Sequence, residues 1–470
     1  MLKQNKGITL IALIITIIVM MILVAVSVTV ALDGGLFGTA KKAASETELK
    51  AEEEMLLSAV VGAIGVDGKV DLSKIQLPEG FIGENGIYTS PNGNVFTVTE
   101  NGEIINGTNG VIEVPNEELS EELKTAIGEG KIVKVVKEVK DGKEMQAVIP
   151  AGFNVSTKDG ENTISGGLVI FDEDGNEFVW VPCTTDASDT SGLTLYAQDK
   201  RYNDGTLASK QYQYKSYTDW KDEGGNFDSV TKYGVFYVGR YEAGIPSNAP
   251  FYANTDGAEY VITNHIRNTT AYIPVSKPNQ PCWNWINQKN AKKVSQKMYS
   301  TSQSVESSLI DSYAWDTIVN WMESKNKGIA LDSKKYGNYV DSSVSIIDGL
   351  YATYRYNLTS GGWISSSSIY QKDTVEIPAR SPSGEQTLYE IATGSAEETK
   401  VLNIYDMAGN MWECTTEVGN HNIENNSTEY TVFRGGCFRQ FDITVSDRHG
   451  HPYITDAGWN LGFRVVLYVK

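Results

Sequence analysis

The chain is 470 residues long, more than one hydrophobic core usually organises, so two or three domains are expected. Its formal net charge is -19, from 59 Asp and Glu against 40 Lys and Arg, and that excludes non-specific nucleic-acid binding, which needs basic patches. Tyr (25), Trp (9) and Gly (44) are plentiful, which suits β-rich or irregular extracellular domains better than a helical cytosolic enzyme.

Residues 1–7 are short and basic, with Lys3 and Lys6. Residues 8–32 carry no charge and are mostly Ile, Leu, Val, Met and Ala. About 20 apolar residues suffice for a helix to cross a bilayer, and lysines ahead of the run place the N-terminus in the cytoplasm. The string KGITLIALIIT resembles the type IV prepilin and pseudopilin leader. That resemblance implies cleavage between Gly7 and Ile8 and assembly into a pilus or pseudopilus. It departs at Ala12, where the family has Glu, so a plain membrane anchor stays open. From 41 to 64 a helical pattern resumes, with Glu48, Glu52, Glu53 and Glu54 on a solvated side.

Residues 67–110 are turn-rich, and the Asn101-Gly102 step between apolar runs is a hairpin signal. They predict a small β-meander. Residues 114–145 read as a helix followed by an edge strand over 131–137. GLVIFDEDGNEFVWVP, 167–182, predicts two strands about a turn. A strand is expected within 233–247 and a helix over 291–298. Leu309, Ile310, Tyr313, Trp315, Ile318, Val319, Trp321 and Met322 recur at helical spacing, so 308–324 reads as an amphipathic helix with Trp315 and Trp321 in the core. Residues 325–400 read as mostly irregular, with an exposed Ser/Gly patch at 359–368.

The C-terminal stretch organises the rest. Two apolar segments, 403–416 and 461–469, bracket a region crowded with aromatic, His, Arg and Asp side chains, as in a rigid frame that presents a surface. In order, FVWVP, FYVGRYEAG, SYAWDTIVNWM, NIYDMAGNMWE, FRGG and LGFRVV resemble the formylglycine-generating-enzyme/sulfatase-modifying-factor family, which adopts a C-type-lectin-like fold. The expected class is therefore α+β: a prepilin-type leader (1–7), a transmembrane and stalk helix (8–63), a small β-rich region (64–160) and a lectin-like domain (161–470). Arg434 and Arg464 are candidates for buried guanidinium groups paired with carboxylates. Gly435-Gly436 allows a bend or a close backbone approach.

The resemblance also implies a structural calcium at Asp406, Gly409, Met411 and Glu413, against a plain hydrogen-bonded turn. The family's redox cysteines follow the RGG motif as a pair. Here Cys437 follows Gly436 directly and no cysteine occurs from 438 to 470, so no enzymatic activity is expected. Cys414 with Cys437, and Cys183 with Cys282, could form disulfides outside the cell; free buried thiols are the alternative. The C-terminal domain also looks like the variable proteins of diversity-generating retroelements. That resemblance implies a displayed binding surface over 438–460, carried by Phe438, Arg439, Phe441, Asp442, His449, His451, Tyr453, Asp456 and Trp459. The expected protein is a membrane-anchored, surface-displayed binder of a protein or glycan, with its C-terminal domain outside the cell. A divergent oxidoreductase and a minor pilin subunit are the alternatives.

Overall fold

The computed structural model describes residues 50–470 apart from 66–67, 85, 92–94, 100, 103, 108–110, 141–142, 159, 192, 199–216, 250–267, 424–425 and 453–456. The chain forms two units, which divide after Asn109.

In the first unit a helix over 50–61 buries Leu56 and Val60, one helical turn apart, and Ala63 follows them into the same core. They pack with Phe81, Tyr88, Phe96 and Val98 of a four-stranded antiparallel meander, Ile82–Glu84, Ile87–Thr89, Val95–Val98 and Ile104–Gly107.

The second unit is built on a seven-stranded sheet. Glu177–Thr184, Val235–Gly239 and Val465–Val469 are almost continuously apolar because both of their faces are covered. The chain's last strand, Val465–Val469, lies between Val235–Gly239 and Val305–Leu309. The helix Ser312–Lys325 packs into the same core with Trp315 and Trp321 buried. Asp311 caps it, its Oδ1 accepting from the Ala314 N–H at 2.8 Å. A five-stranded sheet carries Trp412–Ile423 paired with Asn426–Arg434, and Leu461–Phe463 runs parallel to the former.

Three expectations need correction. The α+β class with a transmembrane helix does not hold: the described molecule is β-rich with few helices, and none of them is long and apolar enough to cross a membrane. The apolar run at 8–32, with Gly7 and Ile8, lies outside the described residues. Residues 325–400 are not mostly irregular: Val344–Asn357 and Gly362–Ile377 form a long hairpin, and Glu385–Ile391 adds a third strand beside the first. Finally, Ile132–Lys140 is not an edge strand but the middle of a three-stranded sheet, between Ile112–Glu113 and Lys143–Pro150.

Two buried ion clusters lock the second unit. Arg464 is fully buried and donates to Glu413 (Nη2 to Oε1, 2.5 Å), to the Gly239 carbonyl (3.0 Å) and to the Tyr405 carbonyl (2.9 Å). Arg434 and Arg448 share Asp316, at 2.5 and 2.9 Å, and Arg448 also pairs Glu417. Replacing Arg464 by Leu would strand the Glu413 charge in the core, so a loss of about 3–5 kcal/mol is expected in a denaturant titration. The double variant Glu413→Leu/Arg464→Leu should recover much of that loss. A single-variant cost below about 1 kcal/mol, within the range of a surface pair, would show that the pair does not hold the fold together.

Candidate binding surface

The site begins where the strand Asn426–Arg434 ends. Gly435 and Gly436 both have positive φ, 84° and 82°. A Cβ on Gly435 would lie 2.6 Å from the Met407 carbonyl, and one on Gly436 would lie 2.6 Å from Ile443 Cγ2. Only glycine satisfies both conditions. The pair delivers the next residues to a fixed place, because the Phe438 N–H donates to the Asn410 carbonyl at 3.0 Å.

Asn410 sits in the left-handed region, φ 56°, a conformation that Asn tolerates better than most residues. Its side chain is a hub. Nδ2 donates to Glu242 Oε2 (2.7 Å) and to the Ile391 carbonyl (3.0 Å), while Oδ1 accepts from the Ile391 N–H (3.1 Å).

Phe438 is fully buried, not displayed. Its ring stacks on Tyr354 (5.5 Å between centroids, 19°) and meets Trp459 edge-on (5.3 Å, 64°). Arg439 is half-buried beside them. Its guanidinium carbon lies 5.4 Å from the Tyr356 ring centroid and 5.5 Å from that of Trp459, and Nη1 donates to the Tyr356 hydroxyl at 3.1 Å. Phe441 and Trp459 are half-buried against the same cluster, together with Trp285, Leu358 and Tyr370. Trp459 is pinned from behind, its carbonyl accepting from Asn284 Nδ2 at 2.8 Å. Asp442 stands exposed at the rim and accepts from Lys334 Nζ at 3.3 Å. His449 belongs elsewhere: it is half-buried on the five-stranded sheet and stacks on Trp412 at 5.2 Å. The His451 side chain, Tyr453 and Asp456 lie outside the described residues.

The structure thus gathers Phe438, Arg439, Phe441 and Trp459 and adds Tyr354, Tyr356 and Tyr370, which sequence reasoning missed. Their signal was present. Ala352, Tyr354 and Tyr356 are buried while Thr353, Arg355 and Asn357 are not, the period-2 pattern of a half-buried strand.

Beneath the aromatic cluster lies Glu390, fully buried. Its oxygens accept from the Tyr354 hydroxyl (2.5 Å) and the Tyr370 hydroxyl (2.6 Å). Burial pushes its carboxyl up to about 7, against the lowering effect of both donors.

The proposed calcium ligands are engaged with protein. Both Glu413 oxygens accept from Arg464, Asp406 Oδ2 accepts from the Gly394 N–H (2.9 Å), and the Gly409 N–H donates to the Gly435 carbonyl (2.9 Å). The Met411 N–H donates to Glu242 Oε1 (3.0 Å). Among the described residues no group of three or more His, Cys, Asp or Glu could hold a metal ion.

All four cysteines are free and buried. The Cys282 thiol donates to Glu242 Oε2 (3.2 Å), Cys437 sits against Gln440 and Asn460 Nδ2, and Cys414 pairs with Phe433 across the sheet. Neither suggested disulfide is formed. A separate concavity of about 370 Å³ is lined by Asp172, Tyr272, Met298 and Tyr299, among others, but Asp172 is already bonded to the Tyr299 hydroxyl (2.6 Å) and Asn176 (2.9 Å).

Residues 361–469 match the sulfatase-modifying factor enzyme 1-like domain. A domain like it is present here. It spans one strand of the hairpin, the Asn410 hub, the glycine pair and the Arg439, Phe441 and Trp459 side of the aromatic surface. No curated protein matches the chain. Among solved structures, the crystal structure of CarF aligns at 12% identity over 54% of this chain and 98% of that one. Its TM-score of 0.27 is too low to bear on the fold.

Because the folded-state value of Glu390 is raised, its proton favours the folded form. As pH rises from the ordinary carboxylate range through about 7, the unfolded chain releases that proton first, and stability falls. Asp311 is likewise pushed up to about 7 by burial, so the native protein combines both effects. The melting temperature should therefore drop between about pH 5 and 8, and Glu390→Gln should flatten part of that drop. Identical pH slopes for the native protein and the variant would show that Glu390 does not hold its proton as described.

Proposed function

We infer that the C-terminal domain binds a ligand through the surface formed by Arg439, Phe441 and Trp459, with no covalent step. One observation carries this reading: the half-exposed Arg439, Phe441 and Trp459, with Trp285 from a third segment, converge on a support of buried Phe438, Tyr354 and Tyr356 that is hydrogen-bonded from beneath. Such residues are the usual anchors of interfaces, and a rigid support lowers the ordering cost of binding. The ligand is a protein or a glycan. Diversification of this surface by a retroelement is the finer form of the same reading. It expects codon variation at the half-buried Arg439 and the exposed Asp442 and invariance at Phe438, which fills the core.

The family match favours a second reading, a divergent oxidoreductase acting on protein thiols. The cysteines speak against it. Cys437 is fully buried, and burial pushes its thiol above the ordinary range, only partly offset by Arg439. A reactive thiolate needs the opposite environment.

The deciding experiment screens protein and glycan arrays with the full chain and repeats each hit with Phe441→Ala. A bound ligand weakened about tenfold or more, at unchanged melting temperature, supports the surface. Equal retention by the variant would place binding elsewhere. Oxygen-dependent turnover of a thiol peptide that is lost in Cys437→Ser would establish the enzyme instead.

A further inference from the structure

We propose that Arg439 is the anchor for a single carboxylate that carries an apolar or aromatic neighbour, as in an acidic peptide segment. This rests on the reading of the surface above as a binding site.

The other described arginines are already committed. Arg240 pairs Glu161 and Glu177, Arg355 pairs Glu385, and Arg434, Arg448 and Arg464 pair the buried acids of the two ion clusters. Arg380 donates to the Tyr339, Val340 and Thr387 carbonyls. Arg439 differs. Among the described residues it pairs with no carboxylate, and its contacts are the Tyr356 hydroxyl and the two aromatic rings. A guanidinium has five N–H donors and stays charged, so a half-buried one with a single acceptor holds unused capacity for a planar, bidentate anion. The nearest acid in sequence, Asp442, is paired with Lys334, which also holds Asp341 at 2.7 Å.

Charge decides between anions. The chain carries -19, and Lys334, which reaches the rim at Asp442, already has two acidic partners. One guanidinium balances one negative charge, which favours a carboxylate over a phosphate dianion. The flank follows from the surroundings. The half-exposed Trp459 ring lies beside the guanidinium and the half-exposed Phe441 packs on the same cluster, which suits an apolar group next to the carboxylate. The rings also restrict the Arg439 side chain before any ligand arrives, so little rotamer freedom is lost on binding.

The test uses the full chain and three small probes in ligand-observed NMR titrations: N-acetylphenylalanine, its uncharged amide, and phenyl phosphate. The acid is expected to bind about tenfold or more tightly than the amide, as a charge-assisted pair predicts, and to weaken as salt rises. Phenyl phosphate should bind no more tightly than the acid. Arg439→Gln should reduce the acid to the level of the amide, while Phe441→Ala should weaken both. Equal binding of acid and amide by the native protein would overturn the proposal without recourse to any variant, and so would the absence of acid binding. Tighter binding of phenyl phosphate would overturn the choice of anion. If Phe441→Ala weakens acid and amide alike while Arg439→Gln changes neither, the carboxylate inference falls and the binding surface stands.

Discussion

Arg464 is the residue on which the second unit most depends. It is fully buried, and a guanidinium there is tolerable only if its charge and its donors are met. Glu413 meets the charge, and the Gly239 and Tyr405 carbonyls meet the remaining donors. These three partners come from the seven-stranded sheet, the short strand Ile404–Tyr405 before the Asn410 hub, and the strand Trp412–Ile423 inside the five-stranded sheet. One side chain thus ties Gly239 to the Tyr405–Glu413 segment, far from it in sequence. The surrounding acids fit the same logic. Glu242 lies near both Asp406 and Glu413, and burial with their charges raises its carboxyl well above the ordinary range. The cluster holds one strong charge pair, and the pressure on its other acids is to stay protonated.

The binding surface inherits its rigidity from this centre. Glu242 receives the Asn410 amide and the Met411 N–H, and the Asn410 carbonyl holds Phe438. Phe438 then stacks on Tyr354, whose hydroxyl is held by Glu390. On the other side Arg434, one residue before the glycine pair, is fixed by Asp316. The segment from 434 to 439 is therefore tied down at both ends, and Arg439 emerges from it at a place set by core packing.

The parts legible in the sequence were those whose signal is local. Helical spacing placed the buried helix that became Ser312–Lys325, and a turn between two apolar runs placed the strands Val169–Phe171 and Glu177–Thr184. The isolated arginines of RGG and GFR were read as buried pairs, and both are. What was missed depends on partners distant in sequence. The hairpin of Val344–Asn357 and Gly362–Ile377 looked irregular because its second strand runs through serines, which carry little strand signal of their own. Without that hairpin, Tyr354 and Tyr356 had no place, and Phe438 looked like a displayed ring when it is a core residue. At Glu413 and Asp406 the oxygen-bearing side chains were visible in the sequence, but not the buried arginine and the backbone N–H that bond them.

The same packing sorts the residues of the C-terminal stretch by how freely each could change. Phe438 touches Tyr354 and Trp459 and is closed off from solvent, so replacing it would open a cavity beneath the surface. Trp459 is half-exposed but joins two of those aromatic contacts, so it belongs partly to the support. Asp442 holds only an exposed pair with Lys334, of the kind that contributes about 1 kcal/mol or less. Arg439 is the residue whose removal would leave no acid unpaired, because among the described residues it neutralises none. A charge that no described carboxylate neutralises, kept in place by two rings of an acidic protein, is the feature from which a bound carboxylate is inferred.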